Sequence, residues 1–185
     1  MTADGFHPAA LYEYLLTARQ KLLDFVRPLP PDQYTREFPF GHKTIRATLV
    51  HVAAAEWLYN RRLLGEPVPP LEDRPFTRFY EAEYAPFEAA WRAQSEETKR
   101  TLREIADWSR SVEYAVTPPP PGAGTPTPAQ KAMRFRTTAG GIAAQLLFHE
   151  IHHRAQVMAM LRHLGLAAQN LDYSALMFAR AEVTE

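Results

Sequence analysis

Apolar residues recur at three- and four-residue steps along four long stretches of the chain, a spacing that places them on one face of an α-helix. The pattern predicts four helices, over residues 8–26, 44–64, 77–108 and 138–164. Gly65 and Gly165 follow the second and fourth stretches directly and are typical helix stops. Four substantial helices joined by loops predict an all-α protein with a four-helix bundle.

The segment between the third and fourth predicted helices has a different character. Val112–Val116 and Met133–Thr137 are short runs with β-branched and aromatic residues, and we expect two short strands there. Thr117–Pro128, between them, holds too many prolines for a helix or a central strand. It predicts an exposed, semi-stiff loop, which is more simply a tolerated insertion than a lid over a site.

The end of the chain predicts a short additional helix. Asp172 is a suitable N-cap for a helix over residues 172–181. The sequence contains no internal repeat and no composition shift that would mark a boundary. We therefore expect a single domain that spans residues 1–185.

The composition excludes several classes of protein. The chain has 21 basic and 21 acidic side chains and a formal net charge of zero, without the basic surplus typical of nucleic-acid binders. The chain has no cysteine, which excludes disulfides, cysteine zinc sites and a thiol nucleophile of its own. Residues 1–10 do not have the pattern of a signal peptide, and no apolar run reaches the length of a membrane span. These features predict a cytoplasmic protein without nucleic-acid or membrane partners.

Two histidines interrupt the apolar face of the fourth predicted helix. On a wheel that advances 100° per residue from Ile142, His149 falls at about −20° and His153 at about 20°, among the core positions. A buried polar group without a partner costs about 1–3 kcal/mol, so two adjacent imidazoles need a shared partner. A divalent metal ion is such a partner, because side chains at i and i+4 lie on one helix face.

A third ligand should come from another helix, and His51 is the best candidate. Small alanines at helical spacing around it leave room for an inward imidazole. A single inward histidine is, however, more often hydrogen-bonded in a core than bound to metal. The string His149 to His153 also matches His-Glu-x-x-His, in which Glu150 would serve as a general base as in zinc proteases. The remaining histidines are most simply surface or loop residues: His7, His42, His152 and His163. His152 could also supply a hydrogen bond near the site.

Two stretches of the sequence resemble the DinB-like superfamily of bacterial four-helix proteins, also called the DNA-damage-inducible family. Thr44–Trp57 is similar to that family's second helix with its inward histidine, and Leu147–Val157 to its His-x-x-His-His-Arg-x-Gln signature. The resemblance implies a bundle with two long crossover connections and a divalent ion, typically zinc or nickel, held by His51, His149 and His153. It also implies a homodimer, and it disfavours the protease interpretation, since the metal site of that family is not a protease site.

Two classes of function follow from this reading. The first is a metal-dependent enzyme, either a transferase that uses a low-molecular-weight thiol as a small-molecule substrate or a hydrolase. The second is a non-catalytic, stress-related metal-binding protein whose ion is structural. No catalytic residue can be assigned, because the candidate carboxylates Glu56 and Glu150 are more simply surface or structural residues.

Overall fold

The computed structural model describes residues 6–116, 131–167, 169–179 and 181. Over this part of the chain it is mostly helical, with one two-stranded sheet, as predicted. The helices are α1 (Pro8–Val26), α2 (Pro31–Tyr34), α3 (Ile45–Leu64), α4 (Tyr84–Glu104), α5 (Ala139–His163) and α6 (Tyr173–Met177). The strands are β1 (Ser111–Val116) and β2 (Met133–Thr138).

The long helices form a bundle in which consecutive helices are not always neighbours. α1 packs against α4 and α5, and α3 packs against the same two helices. α1 and α3 therefore lie across one diagonal of the bundle and α4 and α5 across the other. Two of the three connections must cross the end of the bundle, which agrees with the long crossovers that the family resemblance implies.

Local chemistry sets the ends of the two helices that carry the histidine candidates. The Thr44 side chain accepts a hydrogen bond from the Ala47 N–H at the start of α3, and Gly65 ends that helix with φ at 71°. Thr138 caps α5 in the same way, accepting from the Gly141 N–H. These caps pair backbone N–H groups that the start of a helix leaves without a partner. Both predicted helix starts are accurate to one residue.

The prediction was wrong about the bounds of the third and last helices. α4 begins at Tyr84, not at residue 77, and residues 77–80 form a separate 3₁₀ turn. Pro86 explains the difference: a proline is tolerated in the first turn of a helix but not ten residues inside it. α4 ends at Glu104 because Ile105 is already extended, and α6 is five residues long instead of ten.

The connection between α4 and α5 contains an antiparallel hairpin, close to the predicted strands. β1 pairs with β2 in a register that places Tyr114 opposite Phe135, and these two rings stack at 5.3 Å. The proline-rich loop predicted over 117–128 lies outside the described residues. No helix in the described ranges is long and apolar enough to cross a membrane.

Candidate metal centre

The candidate centre lies between α3 and α5, which pack side by side. His51 is the seventh residue of α3, and its neighbours at helical spacing are Ala54 and Ala55. His149 and His153 lie one turn apart near the middle of α5. His153 is buried, and the other two are half-buried. All three predicted ligands therefore meet at the interface of these two helices.

The separations of the three rings are those that a shared ion requires. An ion about 2.1 Å from an imidazole nitrogen lies about 3.2 Å from the ring centre, so two ligands at about 90–109° have centres about 4.5–5.2 Å apart. The observed centre-to-centre distances are 4.9 Å for His51–His149, 4.7 Å for His51–His153 and 4.5 Å for His149–His153. The Nε2 atoms of His51 and His149 approach to 3.0 Å. The donor set fits a divalent cation.

The histidines are in the protonation state that metal binding needs. Burial, reinforced by the neighbouring imidazoles, lowers the pKa of His51 to about 3. Burial and His153 lower the pKa of His149 to about 4. The pKa of His153 is also lowered, chiefly by burial. The rings are therefore neutral at pH 7 and carry the nitrogen lone pair that a metal ligand must offer.

Gln156 fixes the orientation of His153. The Nδ1 atom of His153 lies 3.0 Å from the Gln156 Oε1. Because a carbonyl oxygen can only accept, Nδ1 carries the proton and Nε2 keeps the free lone pair. The Gln156 amide nitrogen in turn lies 3.0 Å from the Nε2 of exposed His152 and donates to it. His152 therefore makes a hydrogen bond near the site, a role that the sequence had allowed for it.

A fourth histidine, His42, joins the cluster, although the sequence predicted only a surface or loop residue there. It is a loop residue, but it is half-buried and its ring stacks on His51 at 3.9 Å. Within the described residues, the donor atoms of His42, His51 and His153 all lie within 4.8 Å of one another. This group could hold an ion and does not include His149, so the ligand set His51, His149 and His153 stays a prediction.

Periodicity could not have found His42, because the residue lies in the connection before α3 and not on a helix face. The signal that existed was local and weak. Gly41, beside it, has φ at 59°, and a Cβ there would come within 2.7 Å of the Gln156 Oε1. Glycine is favoured at this position because its φ is in the left-handed region.

A cavity of about 240 Å³ opens next to the cluster. His51 and His149 form part of its wall, and most of the remaining wall is apolar or aromatic. Arg74 is the only charged residue among the described residues that line it. The lining residues beyond the two histidines include Ala54, Ala55, Trp57, Leu58, Tyr59, Leu71, Arg74, Phe76, Thr77 and Tyr80.

Glu150 does not reach the cavity, and it is not a surface residue. It is 4% exposed, and Arg19 binds its carboxylate through Nε and Nη2, at 3.0 and 2.5 Å. Arg19 also binds Glu56, at 2.7 Å, so both candidate carboxylates are turned toward α1 and buried. With its carboxylate engaged there, Glu150 is not placed to act as the general base of a His-Glu-x-x-His protease site.

Arg19 is the residue of this network that the sequence analysis missed. It lies four residues after Leu15 and three before Leu22, on the apolar face of α1. An arginine on such a face predicts a buried acidic partner. The partners themselves, on α3 and α5, could not be read from the spacing.

The fold and the centre define a helical-bundle protein with a histidine cluster able to hold a metal ion. A comparison with family sequence profiles agrees with the family resemblance, since the profile of the DinB family matches residues 1–184. The chain belongs to the DinB family. A search of curated proteins finds no match.

Proposed function

We propose that this protein is a metal-dependent enzyme that binds one divalent ion, zinc or nickel, through His51, His149 and His153. The observation that carries the proposal is the cavity beside two of these histidines. A structural zinc site is enclosed by its protein ligands, whereas a catalytic site has an open side for substrate. When bound, such an ion lowers the pKa of a water or stabilises a thiolate.

The lining of the cavity favours thiol transfer over hydrolysis. Hydrolysis generally uses a carboxylate or a neutral histidine as general base. No carboxylate is among the described lining residues, and Tyr59 is held protonated because burial raises its pKa. A thiol needs less help, since its ordinary pKa is about 8.5. We therefore favour a transferase that takes a low-molecular-weight thiol as co-substrate, with a hydrolase as the second reaction type.

The residues that line the cavity indicate how it would hold a substrate. Trp57, Tyr59 and Tyr80 exclude water and offer aromatic surface to an apolar group. Tyr59 is oriented by the Gln145 amide, which donates to its hydroxyl at 3.3 Å. Arg74 provides a positive charge that suits an anionic group on the thiol or its acceptor.

The activity is tested by loading the protein with zinc or nickel, checking the metal content by elemental analysis, and screening for thiol conjugation and for ester or amide hydrolysis. We expect conjugation in the wild type and a loss of at least about 100-fold in His153→Ala. Activity that survives this substitution would contradict the metal mechanism. A matched control is His163→Ala, which changes a histidine near the end of the same helix that lies outside the predicted ligand set.

The alternative is a non-catalytic metal-binding protein in which the ion is structural. The observation in its favour is that the three histidines join two helices of the bundle, α3 and α5. The same samples decide the matter: no activity, together with a melting temperature that falls strongly on metal removal, supports the structural role.

The proposal includes a homodimer and a cytoplasmic location. Phe148 and Ile151 are exposed on the outer face of α5, and Phe148 is 69% exposed. Exposed apolar helix faces of this kind are commonly buried between subunits. We expect light scattering to give twice the chain mass in the wild type and a single-chain mass in Phe148→Glu; a wild-type monomer would contradict the dimer.

A further inference from the structure

His42 lies against two of the three predicted ligands. Its ring centre lies 3.9 Å from that of His51 and 5.1 Å from that of His153. The His153 distance is already within the range for two ligands of one ion, and the stacked His51 contact is shorter than that range. A small outward shift of the His42 ring therefore brings it into coordinating position.

The backbone conformation on both sides of His42 fixes the position of its ring. Gly41 and Lys43, on either side of it, both have left-handed φ values, 59° and 68°. Lysine rarely adopts this conformation, and such strain persists only where surrounding contacts enforce it. Here the Phe38 N–H donates to the Lys43 carbonyl at 2.7 Å, and the Lys43 N–H donates to the Phe40 carbonyl at 3.1 Å.

The loop that carries His42 also contacts Gln156, the residue that orients His153. Gly41 packs against the side chain of Gln156, whose carbonyl oxygen accepts from His153 Nδ1. His42 and His153 are thus positioned through one common contact.

We propose that His42 is a fourth protein ligand of the ion, supplied by the loop before α3. The inference rests on the proposed metal site and adds a loop-borne ligand to its three helix-borne ones. His42 touches His51 and His153, whereas the cavity touches His51 and His149. His42 is not among the described residues that line the cavity, so its coordination would leave the cavity open to a substrate as a fifth ligand of the ion.

The test is a zinc competition titration of wild type and His42→Ala, together with the visible spectrum of the cobalt(II)-loaded proteins. We expect the zinc Kd to rise at least about tenfold in His42→Ala, which corresponds to about 1.4 kcal/mol. We also expect the visible bands of cobalt to lie at longer wavelength in the variant than in the wild type, since water, a weaker-field ligand, replaces the imidazole. Circular dichroism of both apoproteins establishes that the variant is folded.

His163→Ala is the matched control, because its ring packs against Phe38 and Phe40 of the same loop at 6.1 and 5.7 Å. It should leave the zinc Kd and the cobalt spectrum unchanged. An equal loss in His163→Ala would show that loop packing causes the effect and would overturn the proposal, as would an unchanged Kd in His42→Ala. Failure of the wild type to bind zinc, nickel or cobalt would instead refute the metal site itself. Should His42→Ala not fold, His42→Gln takes its place with the same expected spectral change.

Discussion

Arg19→Met is expected to lower the free energy of unfolding by about 3–5 kcal/mol, the largest stability loss that we predict for this protein. Arg19 is 5% exposed and lies between the carboxylates of Glu56 and Glu150, which are 3% and 4% exposed. Methionine fills most of the volume but leaves two negative charges buried without a counterion. Denaturant unfolding at pH 7 measures the effect.

Several further contacts make this site sensitive to the loss of Arg19. The Ser95 hydroxyl lies 2.5 Å from the guanidinium, and the ring of Trp91 lies 4.3 Å from it. Trp91 and Tyr12 both donate to Glu56, at 2.9 and 2.5 Å. Burial, followed by the charge of Glu56, raises the pKa of Tyr12 well above its ordinary value, so that its hydroxyl remains a donor.

Arg27→Met is the control for the Arg19 prediction. Arg27 also pairs with two acidic residues, Asp24 and Glu88, but its side chain is 45% exposed. Exposed pairs contribute little, so this variant should unfold nearly as the wild type does. Glu56→Gln with Glu150→Gln in the Arg19→Met background should recover part of the lost stability. Equal effects in Arg19→Met and Arg27→Met would contradict the assignment of a buried ionic core.

His149→Ala is expected to weaken zinc or nickel binding by at least about 100-fold, or about 2.7 kcal/mol. The reason is the loss of one of three nitrogens whose ring centres lie within 5 Å of one another. Metal at 100 times its Kd adds about 2.7 kcal/mol to the stability of the wild type, so the melting temperature reports the same loss. Isothermal titration gives the affinity directly.

The His149→Ala result also distinguishes two possible ligand sets. If His42, His51 and His153 alone hold the ion, His149→Ala binds metal as the wild type does and His42→Ala loses most of its affinity. His163→Ala serves as the control, because this histidine lies on the same helix and is outside both ligand sets. Metal affinity that is insensitive to His149 would refute its place in the centre.

The helices and the inward histidines could be predicted because both depend on short-range periodicity. His149 and His153 replace two members of an apolar stripe, and this pattern is local to one helix. The start of α4 was missed for an equally local reason, since Pro86 was counted as an interior residue. The prediction of His51 needed a choice among residues on another helix, and family resemblance supported it more than spacing did.

The parts of the centre that could not be predicted depend on long-range packing. His42 comes to the cluster through a loop in which Gly41 and Lys43 adopt left-handed conformations. The pairing of Arg19 with Glu56 and Glu150 joins three helices across 37 and 131 residues of sequence. No periodic signal carries such information, because the partners are fixed by the way the helices are arranged around the core.

Glu56 follows His51 by five residues on α3, and Glu150 directly follows His149 on α5. On each of these helices, one side carries an imidazole and another side is fastened to α1 through Arg19. The helices that bear the imidazoles are thus anchored by the protein's own charges, whether or not an ion is present. Metal loading would then follow folding instead of driving it, so a folded apoprotein would be ready to take up an ion.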